Sequence, residues 1–385
     1  MLRIVLAPDS FKGSLNAPQV CAALATGIRR VWPDAEIRTR PMADGGEGTL
    51  DAMLAALGES GQRQKCIVHG ASGVSAVAEY GLLESGEGTT AVLEIAQVVG
   101  ITDAVGMAAS VGARTTRGVG ELMHVLLDRG VRRFMIGLGG SSTNDGGAGL
   151  LAALGVSLRN SAGREIAIGP EGLTALANVD ASTLDPRLAA CAITIMSDVN
   201  NPLTGDQGAT AIFGPQKGVA ATQIRAFDDA IKGFAERAEA ALGRRALASP
   251  GAGAAGGLGF ALQLLGGTFH SGAQVVAELI GLDAALADAD WAITGEGRSD
   301  VQTLLRKAPF VVAERAAANH VPVTLISGAV DAAALPQLGR HFSGCFGLPN
   351  GPSSLDDCIA NAEALLADRA EQLARVMNAS RPLQR

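Results

Sequence analysis

The first residues able to do chemistry follow the opening apolar segment of the chain. Residues 2–6 read as a buried parallel strand, and Asp9, Ser10, Lys12 and Gly13 come directly after it. The Lys12 ammonium group and the unpaired backbone amides at the start of the next helix both attract anions. Because open α/β sheets bind ligands at the carboxyl ends of their strands, the sequence predicts an anion site here.

Acidic side chains are predicted at the same edge of the sheet. Asp44 and Glu47 follow the next strand in MADGGEGT, and Glu296 follows a third strand in TGEGRSD. Carboxylates beside an anion site are costly unless a cation bridges them, and Mg²⁺ takes oxygen ligands from protein and phosphate together. Asp44, Glu47 and Glu296 are therefore the predicted metal ligands, and the pairing indicates a phosphate ester with its metal.

The TGEGRSD segment also supplies a cation. Arg298 can bind a carboxylate or a phosphate through two parallel hydrogen bonds, and Lys307 lies about two helical turns further along the chain. An ordinary helix start capped by Ser299 or Asp300 explains the same segment equally well.

A second set of glycines and polar residues lies in the middle of the chain. The segment GLGGSSTNDGG could form a backbone cradle, SDVNNPL places Asp198 at a strand end, and FGPQKG places Lys217 in a turn. Each segment alone is ordinary loop chemistry. The residues predicted to bind a nucleotide cofactor are Gly139, Gly140, Ser141, Thr143, Asn144 and Lys217.

Several common catalytic motifs do not account for these clusters. The dipeptide Gly-Lys, which the P-loop requires, occurs nowhere in the chain. A literal G-x-G-x-x-G at residues 251–256 follows ALASP instead of a strand, so it fails the context of a dinucleotide site. No Ser-His-Asp or Cys-His arrangement stands out. Lysine, arginine, aspartate and glycine amides with Mg²⁺ instead indicate phosphoryl transfer.

Composition narrows the class of protein. The 385 residues suggest two domains, and the 3% aromatic content and net charge of −7 argue against a nucleic-acid partner. Five scattered cysteines indicate neither a disulfide framework nor a zinc site. No apolar run resembles a signal peptide or a membrane span, so we expect a cytoplasmic protein, and the sequence leaves open whether it forms a homo-oligomer.

The pattern of apolar runs predicts an α/β protein in which one domain interrupts another. Residues 1–60 and 289–385 read as β-α units of a doubly wound parallel sheet, and 61–288 read as an inserted α+β domain. The strands predicted for the first domain are 2–6, 36–41, 291–294, 321–327 and 344–348, and its helices are 17–31, 46–57, 303–319, one near 332, and 355–377. In the insert, 65–68 and 74–83 suggest a hairpin or meander, and the segment 90–95 follows them.

Six motifs together resemble the bacterial glycerate kinase family. They are, in order, VLAPDSFKGSL, MADGGEGT, IGLGGSSTNDGGAG, SDVNNPL, FGPQKG and TGEGRSDVQT, and they extend along nearly the whole chain. Two departures are Arg306, where the family usually has glycine before Lys307, and Ser197, where cysteine is common. The resemblance implies an ATP-dependent, Mg²⁺-requiring kinase that converts D-glycerate to 2-phosphoglycerate, with a flavodoxin-like domain interrupted by a second α/β domain.

Beside that resemblance, we expect glycerate in the cleft between the domains, with its carboxylate held by Arg298 and the amides that follow Asp9. Lys12 would face the transferred phosphoryl group. An aspartate should accept the hydroxyl proton, with Asp198 as first choice and Asp44 as second. The predicted catalytic residues are thus Asp198, Asp44 and Lys12, and the predicted substrate-binding residues are Asp9, Ser10, Lys12, Gly13 and Arg298.

Three alternatives stay open at this point. A glycerate 3-kinase would use the same residues and phosphorylate the other hydroxyl. A non-catalytic module that binds hydroxy acids would share the two α/β domains but would not need carboxylates beside an anion site. A Mg²⁺-dependent phosphatase would use similar acids with an Asp or Ser nucleophile.

Overall fold

A computed structural model of the chain describes residues 1–86 and 88–380. The described chain divides into two compact units. The first consists of Met1–Asp44, Asp51–Gly58 and the described part of Ala273–Arg385, and the second consists of Gly45–Leu50 and Glu59–Gly272. The sequence placed the boundaries after residues 60 and 288, whereas the structure returns the chain to the first unit at residue 273.

The elements are numbered in chain order. The strands are β1 Arg3–Leu6, β2 Glu36–Thr39, β3 Gly61–His69, β4 Ser75–Ser85, β5 Gly88–Glu94, β6 Arg133–Gly137, β7 Ser157–Arg159, β8 Asn178–Asp180, β9 Ala192–Met196, β10 Thr268–His270, β11 Trp291–Thr294, β12 Arg298–Ser299, β13 Val323–Ser327, β14 Ala329–Val330 and β15 Gly344–Gly347. The helices are α1 Ala17–Arg29, α2 Thr49–Leu57, α3 Ala96–Val99, α4 Ala104–Ala108, α5 Arg117–Asp128, α6 Ala148–Ala153, α7 Pro170–Leu173, α8 Ala209–Phe213, α9 Ile224–Leu242, α10 Leu258–Leu264, α11 Gly272–Leu279, α12 Leu282–Leu286, α13 Ala308–Ala318, α14 Leu335–Leu338, α15 Leu355–Ala360 and α16 Ala362–Ser380. Among residues 1–86 and 88–380, no helix is both long and apolar enough to cross a bilayer.

The main sheet of the first unit is parallel throughout. Its strands lie in the order β15-β13-β11-β1-β2, which is 2-1-3-4-5 when the strands are counted along this unit. That order is one of the two common orders of doubly wound α/β sheets. The predicted α/β class with parallel sheets is therefore confirmed, and all five predicted strands form.

The core of this unit is aliphatic, as the low aromatic content requires. Ile4 and Leu6 of β1 are fully buried and pack with residues of α1 and α16. Helix α1 begins with a capping box in which Asn16 and Gln19 bond each other's backbone amides. At Gly27 a Cβ atom would lie 1.9 Å from the carbonyl oxygen of Ala367, so close approach of α1 and α16 requires glycine there.

The second unit has a six-stranded mixed sheet in the order β10-β9-β6-β5-β4-β3. Strands β3, β4 and β5 form an antiparallel meander, and β5, β6, β9 and β10 pair in parallel. The two segments predicted to form a hairpin or meander correspond to β3 and β4, and the segment 90–95 that follows them overlaps β5, which completes a meander. Its core contains Phe134, Phe234 and Phe260 among many Leu, Val and Ala side chains.

Two predicted helices are each divided in the structure. The helix predicted over 303–319 is a 3₁₀ turn, Val301–Leu304, followed by α13 from Ala308. Arg306 between them has φ +61°, a left-handed backbone that ends the first turn. The helix predicted over 355–377 is α15 and α16, separated at Asn361.

Candidate active site

The polar segments that follow β1, β2 and β11 meet in one pocket of the first unit, here called the charged pocket. Strands β1 and β11 are neighbours, with Leu6 opposite Ile293, and the pairing continues where the Asp9 amide donates to the Gly295 carbonyl at 2.8 Å. The pocket has a volume of about 350 Å³. Its lining residues are Asp9, Ser10, Lys12, Asp44, Glu296, Gly297, Arg298 and Lys307.

Lys12 lies on a tight loop that follows the carboxyl end of β1. The backbone amide of Phe11 donates to the Leu15 carbonyl at 2.8 Å, and the Leu15 amide donates back to the Phe11 carbonyl at 3.1 Å. Gly13 lies within this loop with φ +79°, a conformation that favours glycine. Gly13 was predicted to bind substrate but does not line the pocket, so its role in the structure is to shape the loop that presents Lys12.

Glu296 is the most constrained acid of the charged pocket. Its Oε1 accepts hydrogen bonds from the hydroxyls of Ser299 at 2.9 Å and Thr303 at 2.6 Å, and its Oε2 lies 3.9 Å from the Lys307 ammonium. Burial raises the pKa of Glu296, while the Thr303 hydroxyl and Lys307 oppose that rise. The same segment also begins a helical turn, as the alternative interpretation of the sequence expected. Asp300 caps the 3₁₀ turn Val301–Leu304, because its Oδ1 accepts from the Gln302 amide at 2.7 Å.

Asp9 is the acid of the charged pocket whose pKa is most strongly raised. Its pKa is raised to about 8, mainly by burial and also by the nearby carboxylates of Asp44 and Glu296. The Ser10 amide, which donates to Asp9 Oδ1 at 2.6 Å, and the Lys12 ammonium lower the pKa by smaller amounts. Asp9 is half-buried and lines the charged pocket. Its carboxyl group is therefore partly shielded from water but can still contact a ligand.

We expect the Asp9→Asn variant to be more stable than the unmodified protein at pH 8.5, and to gain little at pH 4. The folded protein binds the Asp9 proton more tightly than the unfolded chain, so Asp9 lowers the unfolding free energy as pH rises from about 4 to 8. The asparagine side chain removes that contribution. The expected difference at pH 8.5 is about 2 kcal/mol once solvent in the pocket is allowed for.

Urea unfolding of both proteins at pH 4 to 8.5 measures this prediction. Asp368→Asn is a suitable control, because Asp368 is an exposed partner of Arg30 on α16. A stability difference between Asp9→Asn and the unmodified protein that does not grow with pH would contradict the raised pKa.

The charged pocket also fits a magnesium ion that arrives with a phosphate ligand. Within the described ranges, no three His, Cys, Asp or Glu side chains are grouped to hold a metal ion by themselves. Mg²⁺ usually binds through one or two carboxylates together with substrate phosphates, and the pocket offers Asp44 beside Lys12 and Arg298. Glu296 also lines the pocket, but its oxygens already face Ser299, Thr303 and Lys307, so a metal bound by Glu296 would compete with those groups.

Glu47 does not take the place predicted for it. It is exposed, it does not line the charged pocket, and it lies in Gly45–Leu50, which packs with the second unit. The sequence grouped Glu47 with Asp44 because they are three residues apart. The chain leaves the first unit directly after Asp44, so nearness in sequence does not bring both carboxylates to the pocket.

A second pocket, here called the lysine pocket, lies in the second unit and has a volume of about 300 Å³. Its lining residues are Ile101, Leu138, Gly139, Gly140, Ser141, Val199, Phe213, Gln216, Lys217 and Ala255. It brings together Gly139, Gly140, Ser141 and Lys217 of the predicted nucleotide site. Two segments more than seventy residues apart in sequence, GLGGSS and FGPQKG, therefore meet in one cavity.

Thr143 and Asn144 were predicted to bind the nucleotide, and the structure places both in the interior, outside the lining of the lysine pocket. Asn144 Nδ2 donates to the Thr210 hydroxyl at 3.0 Å, and the Thr143 carbonyl accepts from Lys217 Nζ at 2.8 Å. Both residues are fully buried. They support the pocket from behind, because the chain turns inward after Ser141.

Asp198 follows β9 as predicted, but it is exposed and lines neither the charged pocket nor the lysine pocket. Its neighbour Val199 lines the lysine pocket instead.

These observations define the class of the protein. The doubly wound parallel sheet has, at its carboxyl edge, a pocket lined by both carboxylates and cations. Such a pocket is typical of α/β proteins that bind small charged ligands. The family model of the glycerate kinase family matches residues 4–378, and the chain belongs to that family.

Comparison with individual proteins agrees. The chain is 41% identical to a glycerate kinase of Bacillus subtilis strain 168 over 376 residues, covering 97% of each chain. It is 42% identical to the glycerate 2-kinase of Escherichia coli K12 over 330 residues, covering 86% of each. A crystal structure of a Salmonella typhimurium LT2 protein provisionally named glycerate kinase 2 superposes with a TM-score of 0.86 at 41% identity, covering 98% of each chain.

Proposed function

We propose that the protein is an ATP-dependent kinase that phosphorylates D-glycerate to 2-phosphoglycerate, with Mg²⁺ as the required metal. The observation that carries this proposal is the charged pocket, where Lys12, Arg298 and Lys307 line the same 350 Å³ as Asp9, Asp44 and Glu296. A small hydroxy acid and a phosphoryl group are both anionic and need the cations. A transferred proton and a metal need the acids.

We assign the cations of the charged pocket to two roles, binding of the glycerate carboxylate and binding of the phosphoryl group. Arg298 is exposed at the pocket wall, and its planar guanidinium suits the carboxylate of glycerate. Lys12 lines the same pocket, and its compact ammonium with three rotatable N–H donors suits the negatively charged oxygens of a phosphoryl group. Lys307 faces Glu296, so it balances the buried acid first.

The acids divide in a similar way. Asp9 is protonated at neutral pH because its pKa is near 8, so it can donate a hydrogen bond to an anionic ligand. Asp44 is the carboxylate that we assign to the acceptor hydroxyl, and it would share Mg²⁺ with the phosphate. Bound Mg²⁺ would supply neutralisation of the charge that develops on the phosphate oxygens.

Phosphorus NMR of the reaction tests the proposed function. The purified protein is incubated with ATP, Mg²⁺ and D-glycerate, and the expected result is ADP together with 2-phosphoglycerate. Formation of 3-phosphoglycerate would replace the proposed regiochemistry with that of a 3-kinase. Release of free phosphate would indicate a phosphatase, and binding of D-glycerate without turnover would indicate a binding module.

A further inference from the structure

We propose that the lysine pocket binds the phosphate groups of the nucleotide through Lys217, and that Lys217 takes up a proton when they bind. This inference rests on the proposed function, since ATP is the phosphoryl donor there. It adds the site of the nucleotide and a link between nucleotide binding and protonation.

The composition of the cavity indicates a nucleotide more than a purely apolar ligand. Ile101, Val199 and Phe213 provide apolar surface for a ribose or a base. Gly139 and Gly140 line the cavity beside Ser141. The Gly139 amide donates to the Gly45 carbonyl at 3.4 Å, and a Cβ atom at Gly139 would lie 2.5 Å from the Gly46 Cα, so packing against residues 45–46 requires glycine there. Gly140 has φ +71°, so the turn itself depends on glycine. A lining that joins apolar side chains, a few polar residues and one buried cation is typical of cofactor pockets.

The hydrogen bonds of Lys217 leave room for one more acceptor. The side chain is 2% exposed, and Nζ donates to Ser141 Oγ at 2.9 Å and to the Thr143 carbonyl at 2.8 Å. A neutral amine has two N–H groups, which these acceptors satisfy. An ammonium group has a third N–H, for which the described part of the chain shows no acceptor. A phosphate oxygen in the cavity would accept that third hydrogen bond.

The charged groups around Lys217 are few and already satisfied. The Arg114 guanidinium donates to the carbonyls of Ser142 at 3.2 Å and of Lys217 itself at 2.8 Å. The Asp145 carboxylate accepts from the Thr116 amide at 2.8 Å and from the Gly147 amide at 3.0 Å. Asp145 therefore has its charge stabilised by backbone and hydroxyl groups, and it does not form an ion pair with Lys217.

Burial accordingly dominates the ionisation of Lys217. Burial lowers the pKa of the amine, Asp145 opposes that decrease and Arg114 adds to it, and the net result is a pKa of about 7. An anionic ligand raises the pKa of an adjacent amine, so binding favours the protonated form. ATP affinity should be greatest below pH 7 and should weaken as pH rises above 7, with proton uptake on binding near pH 7.5.

Isothermal titration of the full-length protein with Mg-ATP, in buffers of different ionisation enthalpy at pH 7.5, measures both affinity and proton uptake. We expect the Lys217→Met variant to lose at least tenfold in affinity and to bind without the Lys217-linked proton. Lys217→Arg should retain more affinity and also bind without proton uptake, because arginine stays charged. Lys232→Met is the control, since Lys232 is an exposed lysine of α9, and it should behave as the unmodified protein.

Labelling provides a test that does not depend on a variant folding. Pyridoxal phosphate forms an imine with a neutral lysine amine, releasing water, and borohydride reduces the imine to a stable secondary amine. Mass spectrometry should find Lys217 labelled in the unmodified protein, and ATP should protect it while D-glycerate should not.

The outcomes separate this inference from the proposed function. If the unmodified protein phosphorylates glycerate while ATP leaves Lys217 labelling unchanged, or folded Lys217→Met binds Mg-ATP normally, the nucleotide lies elsewhere and only this inference fails. If the unmodified protein shows protection and proton uptake but no glycerate phosphorylation, the proposed acceptor is wrong and the nucleotide site stands.

Discussion

The Lys12→Met variant is expected to lose about 10³-fold in kcat for glycerate phosphorylation while remaining folded. Lys12 is exposed at the end of its loop, so methionine of similar length fits without a clash. The change removes one positive charge from a pocket that also contains Asp9, Asp44 and Glu296. Without Lys12, the carboxylates of Asp44 and Glu296 face the transferred phosphoryl group with less opposing charge, and the transition state loses more stabilisation than the ground state.

Steady-state kinetics of ADP formation measure this effect, with saturating ATP, Mg²⁺ and D-glycerate. Lys12→Arg keeps the charge but not the compact ammonium, and it should recover part of the rate. Lys232→Met is again the control for removal of an exposed lysine. A Lys12→Met protein that retains more than a tenth of the original kcat would exclude Lys12 from charge stabilisation in the transfer.

The charged pocket was largely predictable because a parallel sheet imposes a simple geometry. Strands β1 and β11 are short and mainly apolar, whereas β2 alternates polar and apolar residues; each of the three is followed within five residues by an acidic side chain. Since the carboxyl ends of adjacent parallel strands meet at one edge, Asp9, Asp44 and Glu296 could be grouped without knowledge of any tertiary contact. The structure adds the hydroxyls of Ser299 and Thr303 behind Glu296, which no spacing rule indicates.

The helix break before Lys307 was not predictable from apolar periodicity. Residues 303–319 carry apolar side chains on a helical spacing, and proline at position 309 is compatible with a first helical turn. The left-handed backbone of Arg306 interrupts the helix, yet arginine is not a residue that usually marks such a conformation. The resemblance to a family with glycine at this position is the signal that could have revealed the turn.

The lysine pocket was only partly predictable, because side-chain direction in irregular segments depends on packing. GLGGSSTNDGG offers many candidate ligands, and the structure turns Ser141 to the cavity while Thr143 and Asn144 face the interior. Lys217 reads as a surface lysine in a turn, since lysine is rarely buried. Ser141, Thr143 and Arg114 contact Lys217 in the interior, and all three are distant from it in sequence. The lowered pKa of Lys217 could therefore not be predicted from the sequence.

The sequence offers two aspartates as the proton acceptor, with Asp198 as first choice and Asp44 as second, and the structure favours Asp44. Asp198 and Asp44 both follow strands, but only Asp44 lines a pocket together with Lys12 and Arg298. We therefore expect Asp44→Asn to lower kcat by about 10² to 10⁴-fold, the range for loss of a positioned base. We expect Asp198→Asn to change kcat by less than about tenfold, because Asp198 lies outside the charged pocket.

Kinetics of the two variants at several Mg²⁺ concentrations distinguish the roles that Asp44 could have. If Asp44 only holds the metal, high Mg²⁺ should restore much of the rate of Asp44→Asn; if Asp44 accepts the hydroxyl proton, kcat should stay low at saturating Mg²⁺. The opposite ranking, with Asp198→Asn inactive and Asp44→Asn active, would transfer the role to Asp198. It would also mean that the carboxyl edge of the first sheet binds the reactants without supplying the base.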